Sequence, residues 1–245
     1  KNKNGNNMKQ PLATLFAIFY TAAFLSAQTP GTLDAGFGAG GYTQTDFANI
    51  SNTARIILQQ PDGKFVLLGT GNQDNLTISH ILAMRYLPNG TRDNSFGAAG
   101  VYAETGFGTT PSAVEYRETW SGVLQPDGKT LIAGTVKMNS ILRHFLIRLN
   151  ANGLRDASFG TNGFVFVNTV NWFEPRAHPV GVALQDDGKI LLFSGIVQDG
   201  NFTLIRFTAD GAPDASFGTG GMLHLTSSLP NLFILQGKAL AIQPD

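Results

Sequence analysis

The sequence predicts an all-β chain built as a tandem array of four-stranded units. A block at residues 85–100, RYLPNGTRDNSFGAAG, returns in close copies at 148–163 and 206–221. The apolar runs between these copies are short, rich in Ile, Val, Leu and Phe, and bounded by Gly, Pro and Asn, which is typical of strands. A repeat of this length indicates a supersecondary unit of several strands that stacks on its neighbours.

Four Phe-Gly pairs mark the period of the repeat. The anchors are spaced by 59, 63 and 58 residues, and they are Phe37, Phe96, Phe159 and Phe217. A second block, Gln-Pro-Asp-Gly-Lys at 60–64, returns at 125–129, returns with Asp for Pro at 185–189, and begins again at 243. The distance from each Phe anchor to the next Asp of this block varies from 25 to 31 residues. Variation in length is therefore confined to the loops between fixed blocks.

Each unit is predicted to contain four strands, which in the first unit cover 42–47, 55–59, 64–69 and 81–87. If the strands alternate in direction, the two fixed turns of each unit lie at one end of the array. The connections of variable length then lie at the other end. Because binding residues are concentrated on variable loops, we expect any specificity at that second end.

The fixed block also predicts an ion pair in each unit. A type I turn through Pro88 and Asn89, with Gly90 as a left-handed bulge residue, sets Arg85 directly opposite Asp93. The same register predicts two further pairs, Arg148 with Asp156 and Arg206 with Asp214. Cross-strand pairs of this kind hold a hairpin in register, so we interpret all three as structural, with Phe96 as a core anchor.

The N-terminal residues predict export. Residues 8–27 combine a short basic start with an apolar run that is too short to span a bilayer, followed by Ala27 and Gln28, which is typical of a secretory signal peptide. Residues 1–7 are interpreted as an upstream extension, and residues 28–245 as the tandem repeats. Loss of Lys1, Lys3 and Lys9 changes 17 basic residues to 14 against 17 acidic ones, which argues against nucleic acid as a partner. No stable membrane span is expected after cleavage.

The repeated blocks resemble the delta-60 repeat family of bacterial secreted or surface proteins. The resemblance rests on residues 33–41, on the Gln-Pro-Asp-Gly-Lys blocks and on the Arg-x10-Phe-x3-Gly spacing, and it covers 33–245. It implies a β-propeller-like fold and a location in the cell envelope or outside the cell, and it carries no established catalytic or binding residues. The sequence departs from the family pattern at a few positions, namely Gly36, Arg92, Arg155 and Asp186.

The count of strands gives about three and a half propeller blades, with the fourth unit cut short at Asp245. Propellers usually close with four to eight blades, so we expect this sequence to be a fragment of a larger propeller. In the complete ring, a late unit would supply the strand that Asp34 and Phe37 lack.

Candidate ligand-binding residues are those that do not repeat. Tyr116 and Glu118 are predicted in one variable loop with Glu115 and Arg117, and Trp172, Glu174 and Arg176 in another with His178. Aromatic rings beside charged groups could bind a sugar or a protein surface. The alternative is that the rings pack between units and the charges are solvated.

No pattern in the sequence indicates a catalytic residue, a metal site or a cofactor. Cysteine is absent, the histidines share no repeat position, and no phosphate loop or nucleophile elbow occurs. The leading hypothesis is therefore a non-catalytic secreted or cell-surface module that binds a protein or a glycan or serves as structure. Two alternatives stay open: an exported carbohydrate-active enzyme that uses the variable loops, and a spacer or stalk within a large surface protein.

Overall fold

The computed structural model shows a β-sheet protein whose chain divides into two compact units, Lys1–Leu33 and Asp34–Asp245. The structure describes residues 31–45, 51–73, 78–107, 114–139, 141–168, 178–195, 201–226, 240 and 242. Among these residues all regular structure is β-strand, and no helix is long and apolar enough to cross a membrane. The predicted signal peptide and upstream extension lie outside the described residues.

Three antiparallel four-stranded sheets make up the described part of the second unit. Sheet 1 holds β1 Ser51–Gln59, β2 Phe65–Gln73, β3 Ile78–Tyr86 and β4 Val101–Glu104. Sheet 2 holds β5 Val114–Leu124, β6 Thr130–Met138, β7 Ile141–Leu149 and β8 Phe164–Asn168. Sheet 3 holds β9 His178–Leu184, β10 Ile190–Gly195, β11 Asn201–Phe207 and β12 Met222–Thr226. Within each sheet the spatial order of the strands follows their order along the chain, which confirms the predicted array of four-stranded blades.

The membership of each sheet differs from the predicted unit. The strand after the double glycine was expected to open a new unit, but β4 pairs with β3 of the preceding sheet, with Met84 opposite Val101. The reason is the hairpin: once Asp93 bonds Arg85, the chain makes one short excursion and returns to the free edge of the same strand. The hairpin expected between units thus lies within one sheet.

The first turn of each sheet follows from the Gln-Pro-Asp-Gly-Lys block. Gly63 has φ of 82° and donates its amide to the carbonyl of Gln60, while the Gln60 amide bonds the Lys64 carbonyl at 2.8 Å. Asp62 accepts from the Lys64 amide at 3.2 Å, which closes the turn from the side. The left-handed glycine is the bulge residue of a three-residue hairpin, as the sequence predicts.

Two apolar cores fill the spaces between the sheets. Between sheets 1 and 2 lie fully buried residues of both, among them Val66, Leu68, Ile132 and Ile147. Between sheets 2 and 3, Leu131 and Ala133 of β6 meet Ile190 and Leu192 of β10. Successive residues of β6 point to opposite faces, so the middle strands are apolar on both sides because each face meets another sheet.

The first strands of the sheets lie next to one another. Thr119 of β5 bonds Thr70 and the Gly69 carbonyl of sheet 1, at 3.0 and 2.9 Å. On the other side of β5, Ser121 accepts from the amide of Val182 in β9 at 3.2 Å. These bonds satisfy buried polar groups and fix the spacing of the neighbouring sheets.

Candidate functional site

The fixed end of every sheet carries the Arg and Asp side chains that the sequence pairs. Arg85, Arg148 and Arg206 each donate from Nε to Oδ2 of their Asp at 2.8 Å. In sheets 1 and 2 both partners are buried, with 7% of Arg85 and 7% of Arg148 exposed. In Arg85 and Arg148 the remaining guanidinium nitrogens are used as well, so the contacts of these two residues extend beyond one hairpin.

The same guanidinium joins adjacent sheets. Nη1 of Arg85 donates to the carbonyl of Ala151, and Nη1 of Arg148 donates to the carbonyl of Ala209, both at 2.6 Å. These acceptors belong to the fixed hairpin turn of the next sheet. We call the turns at 87–91, 150–154 and 208–212 the receiving turns, because each offers its carbonyls to a neighbour.

A docking block completes the contact between sheets. This block is the Asp-x-x-Phe-Gly segment with the residues that follow it, at 34–43, 93–102, 156–165 and 214–223. In sheet 1 the Gly97 amide donates to Asn152 of the receiving turn at 2.7 Å, and in sheet 2 Gly160 donates to Asp210 at 2.8 Å. The Phe96 ring lies against Gly153, where an added Cβ would come within 2.6 Å of it. The fixed blocks therefore join sheet to sheet.

The carboxylates of these blocks are held ionised. Burial by itself raises the pKa of Asp156, but hydrogen bonds from the hydroxyl and amide of Ser158 and the charge of Arg148 outweigh it, so the pKa is about 2. In Asp214 the hydrogen bond from the Ser216 hydroxyl is the main cause of a pKa of about 2. A carboxylate with so low a pKa is a poor general base, so these groups are suited to structure.

Glu118 does not lie in a variable loop, contrary to the prediction. It lies on β5, which continues through residues 114–124 and stays paired with β6 because two bulges absorb the irregular register. Its carboxylate forms a salt bridge with Arg55 of sheet 1, whose guanidinium lies 4.2 Å from the centre of the Trp120 ring. Burial raises the pKa of Glu118, and the charge of Arg55 only partly offsets this rise.

Of the other predicted ligand-binding residues, the structure describes only some. Glu115 and Tyr116 lie on β5 and His178 begins β9, so these three also belong to strands and the predicted loops are wrong for them. Trp172, Glu174 and Arg176 fall outside the described residues. Of the predicted binding residues, the structure therefore places the backbone of Tyr116 and the complete side chain of Glu118.

A second ionic group centres on Glu104 of β4. Glu104, 7% exposed, accepts from the amides of Gly106 and Phe107 through one oxygen and from Tyr102 and Arg155 through the other. Each oxygen thus has two donors within the protein. Such a carboxylate fixes the chain after β4 and has no oxygen left for substrate.

At the fixed end, a cleft of about 790 Å³ opens along the first strands of the three sheets. Its walls include Val123, Val182 and Leu184, with Leu240 and Ile242 closing one side. A volume of this size is in the usual range for small-molecule and peptide sites. The cleft therefore has the dimensions of a binding site.

Three equivalent glutamines line this cleft. Gln60, Gln125 and Gln185 open the repeated turns, and the Oε1 atom of each is buried with no hydrogen-bond partner in the structure. Buried acceptors of this kind call for a donor, either from water or from a ligand. Sequence reasoning missed them, although Gln is the one residue of the repeated block that turn chemistry leaves unexplained.

In the described part of the chain, no group of three or more His, Asp or Glu side chains is placed to hold a metal ion. His144 is buried and bonds Ser194 across sheets 2 and 3, with 2.6 Å between Nε2 and Oγ. Because His144 and Ser194 are 0% and 3% exposed, this pair is part of the interface between the sheets and is closed to substrate.

Repeated four-stranded antiparallel sheets, joined face to face by one recurring contact, define a β-propeller-like repeat protein. Residues 60–96, 125–159 and 185–217 match the family described as "Domain of unknown function (DUF5122) beta-propeller". Each match runs from the first-turn Gln through a Phe anchor. A search of curated proteins returns no match to the chain.

Proposed function

We propose that the chain is a non-catalytic interaction module of the delta-60 type, exported from a bacterial cell and binding a protein or glycan. The observation that carries the proposal is the cleft, because three equivalent glutamines line it and the buried Oε1 atom of each has no hydrogen-bond partner. Apart from Gln59 and Asp186, the rest of its lining is apolar, as in most binding sites. Export is supported by the signal-peptide pattern of residues 8–27.

The ligand of this cleft must donate hydrogen bonds. Amide oxygens accept from N–H and O–H groups, and the cleft adds Pro61 and Pro126 as apolar surface. Backbone amides of an extended peptide and the hydroxyl groups of a sugar both supply such donors. The described lining residues include no aromatic ring, which favours a peptide over a sugar that stacks.

The test is binding of the purified full chain to peptide and glycan arrays, with a hydrolysis panel in parallel. Gln60→Leu and Gln125→Leu are expected to abolish binding while leaving the thermal midpoint unchanged. Asn94→Leu, which alters an exposed amide outside the cleft, is the matched control and should bind normally. Binding that survives both glutamine changes would contradict the proposal.

One observation favours the rival enzyme. A general acid needs a raised pKa, and burial raises that of Glu118. The salt bridge to Arg55 opposes this role, since it holds the carboxylate in its charged form. If the chain turns over any glycan and Glu118→Gln abolishes that turnover, the chain is a carbohydrate-active enzyme and not a binding module.

A further inference from the structure

The cleft at the fixed end has a single charged residue among the described residues that line it. That residue is Asp186, which lies in the turn that joins β9 to β10. The other described lining residues are glutamines, glycines and apolar residues, and no aromatic ring is among them. Asp186 therefore determines the sign of the charge that this lining presents to a ligand.

Asp186 is also the position at which the repeated turn changes its chemistry. The equivalent residues of sheets 1 and 2 are Pro61 and Pro126, and both line the same cleft. Proline has no ionisable group, whereas Asp186 brings a carboxylate to this position. A type I turn accepts most residues here, so the turn gives no reason for a carboxylate.

The negative charge of Asp186 is not neutralised within the described part of the chain. Asp186 is exposed and forms no salt bridge with a described residue, although Lys189 follows in the same turn. Nζ of Lys189 lies 2.9 Å from Oδ2 of Asp187 and 3.7 Å from Oδ2 of Asp214. The equivalent lysines of sheets 1 and 2 make the same two contacts in their own blocks. The lysines of the fixed turns are thus committed to other carboxylates.

The glutamines of the cleft do not select the charge of a ligand. Amide oxygens accept hydrogen bonds from neutral and from charged donors alike. A carboxylate differs from them because it attracts a cation and repels an anion. Gln185, whose buried Oε1 has no hydrogen-bond partner, directly precedes Asp186. The ligand group that suits this turn best is therefore a hydrogen-bond donor with a positive charge.

The apolar walls indicate which cation fits. Val123, Val182 and Leu184 provide aliphatic surface along the cleft. Lysine has a long aliphatic stem that packs on such surface, and its ammonium group acts as a compact point charge. Arginine gains more from stacking on aromatic faces, which the described lining does not offer. The lining therefore favours lysine over arginine.

We propose that the cleft binds a lysine side chain of a partner protein. The inference rests on the proposed function, because it names the peptide residue that the binding cleft selects. The lysine ammonium pairs with the carboxylate of Asp186, and the lysine stem lies along the aliphatic wall that includes Val182 and Leu184. Asp186 is then the residue that determines specificity, and sheet 3 is the sheet that provides it.

Binding of peptide pools to the full chain tests the proposal. The pools hold short peptides with uncharged residues that differ only at the central position, which is lysine, Nε-acetyl-lysine, norleucine or arginine. Acetylation removes the charge of lysine and keeps its stem, so the lysine pool should bind about fivefold more tightly than the acetyl-lysine pool. The norleucine and arginine pools should also bind more weakly than the lysine pool. Biolayer interferometry measures the four affinities.

Asp186→Asn should abolish the preference for lysine, because it removes the charge and keeps the size of the side chain. The lysine and acetyl-lysine pools should then bind equally well. Asp186→Pro gives sheet 3 the residue of sheets 1 and 2 and should have the same effect. Asp34→Asn is the matched control, since it removes an exposed carboxylate outside the cleft and should leave the preference intact.

Two results would overturn the inference and leave the proposed function standing. One is that the lysine pool binds no more tightly than the acetyl-lysine or arginine pool, in which case the cleft binds peptides without selecting lysine. The other is a preference for lysine that survives both Asp186→Asn and Asp186→Pro. If none of the pools, peptide arrays or glycan arrays shows binding, the proposed function fails together with the inference.

Discussion

Arg148 and Asp156 form a buried salt bridge, with 2.8 Å between Nε and Oδ2, within the hairpin that also contacts the next sheet. Removing one member of a buried pair leaves the other charge without a partner, which costs about 3 kcal/mol. Asp156→Ala should therefore lower the free energy of unfolding by about that amount. Urea unfolding followed by circular dichroism measures it.

The matched variant is Asp214→Ala, which removes the same bond where Arg206 is more exposed. Its loss of stability should be clearly smaller than that of Asp156→Ala. If both variants lose the same free energy of unfolding, the contact to the neighbouring sheet adds nothing to the stabilisation by the ion pair.

Stability should fall in acid because of these aspartates. The folded pKa of Asp156 is about 2, below its ordinary value of 3.8, so the unfolded chain binds the proton more readily. The stabilisation is present above about pH 4 and is lost as the pH falls through 2. Thermal midpoints from pH 7 to pH 2 should show this decline, and Asp156→Asn should flatten it.

Gly153 is required for two separate reasons, and one pair of variants separates them. Its φ is 80°, which disfavours any side chain, and an added Cβ would lie 2.6 Å from the Phe96 ring. Gly188 has φ of 81° but only an ordinary contact, 3.7 Å from Ala209. Gly188→Ala should cost about 1 kcal/mol, and Gly153→Ala about 1 to 3 kcal/mol more. Equal costs in chemical unfolding would remove Phe96 from the explanation.

The Arg55–Glu118 pair should contribute little to stability. The Arg55 side chain is 33% exposed, and exposed ion pairs contribute about 0 to 1 kcal/mol. A double-mutant cycle with Arg55→Met and Glu118→Gln should give a coupling in that range. A larger coupling would indicate that Trp120, which lies beside Arg55, makes the pair act as a buried one.

Gln60→Met should leave stability unchanged or increase it. The buried Oε1 of Gln60 has no partner, and replacing such a group with an apolar one of similar size removes a desolvation penalty. A drop of about 1 kcal/mol or more in the free energy of unfolding would show that the amide has a structural bond. Gln60 would then lose its place in the proposed site.

The order of strands, the turn types and the Arg–Asp register could be predicted because each depends on local geometry. A left-handed Gly90 fixes the turn, and the turn fixes which residues face each other. Counting outward from Leu87 and Thr91 then sets Arg85 opposite Asp93, where the Asp93 amide bonds the Arg85 carbonyl at 2.9 Å. A hairpin register of this kind depends on few residues, all of them close in sequence.

The limits of each sheet could not be found in this way. The sequence marks the double glycine as a break, but whether β4 joins the earlier or the later sheet depends on which strand edge is free. The sequence predicts a loop at Glu118 because its segment does not repeat, although bulges allow such a segment to stay paired with β6. Pairing across distant residues decides both questions.

The glutamine cleft could not be predicted because it depends on neighbours from three units. A single turn gives no reason for Gln60, and only the alignment of β1, β5 and β9 brings the equivalent glutamines to one opening. Repetition was the available signal. A residue that recurs without a turn or packing reason indicates a shared environment created by the array.

The Phe96 and Phe159 rings lie against Gly153 and Gly211 of the adjacent hairpins, and each of these contacts involves two neighbouring sheets only. Because both interfaces between sheets use the same contacts, duplication or deletion can add or remove whole units in evolution. Stability would then grow nearly in proportion to the number of units, as in other repeat proteins.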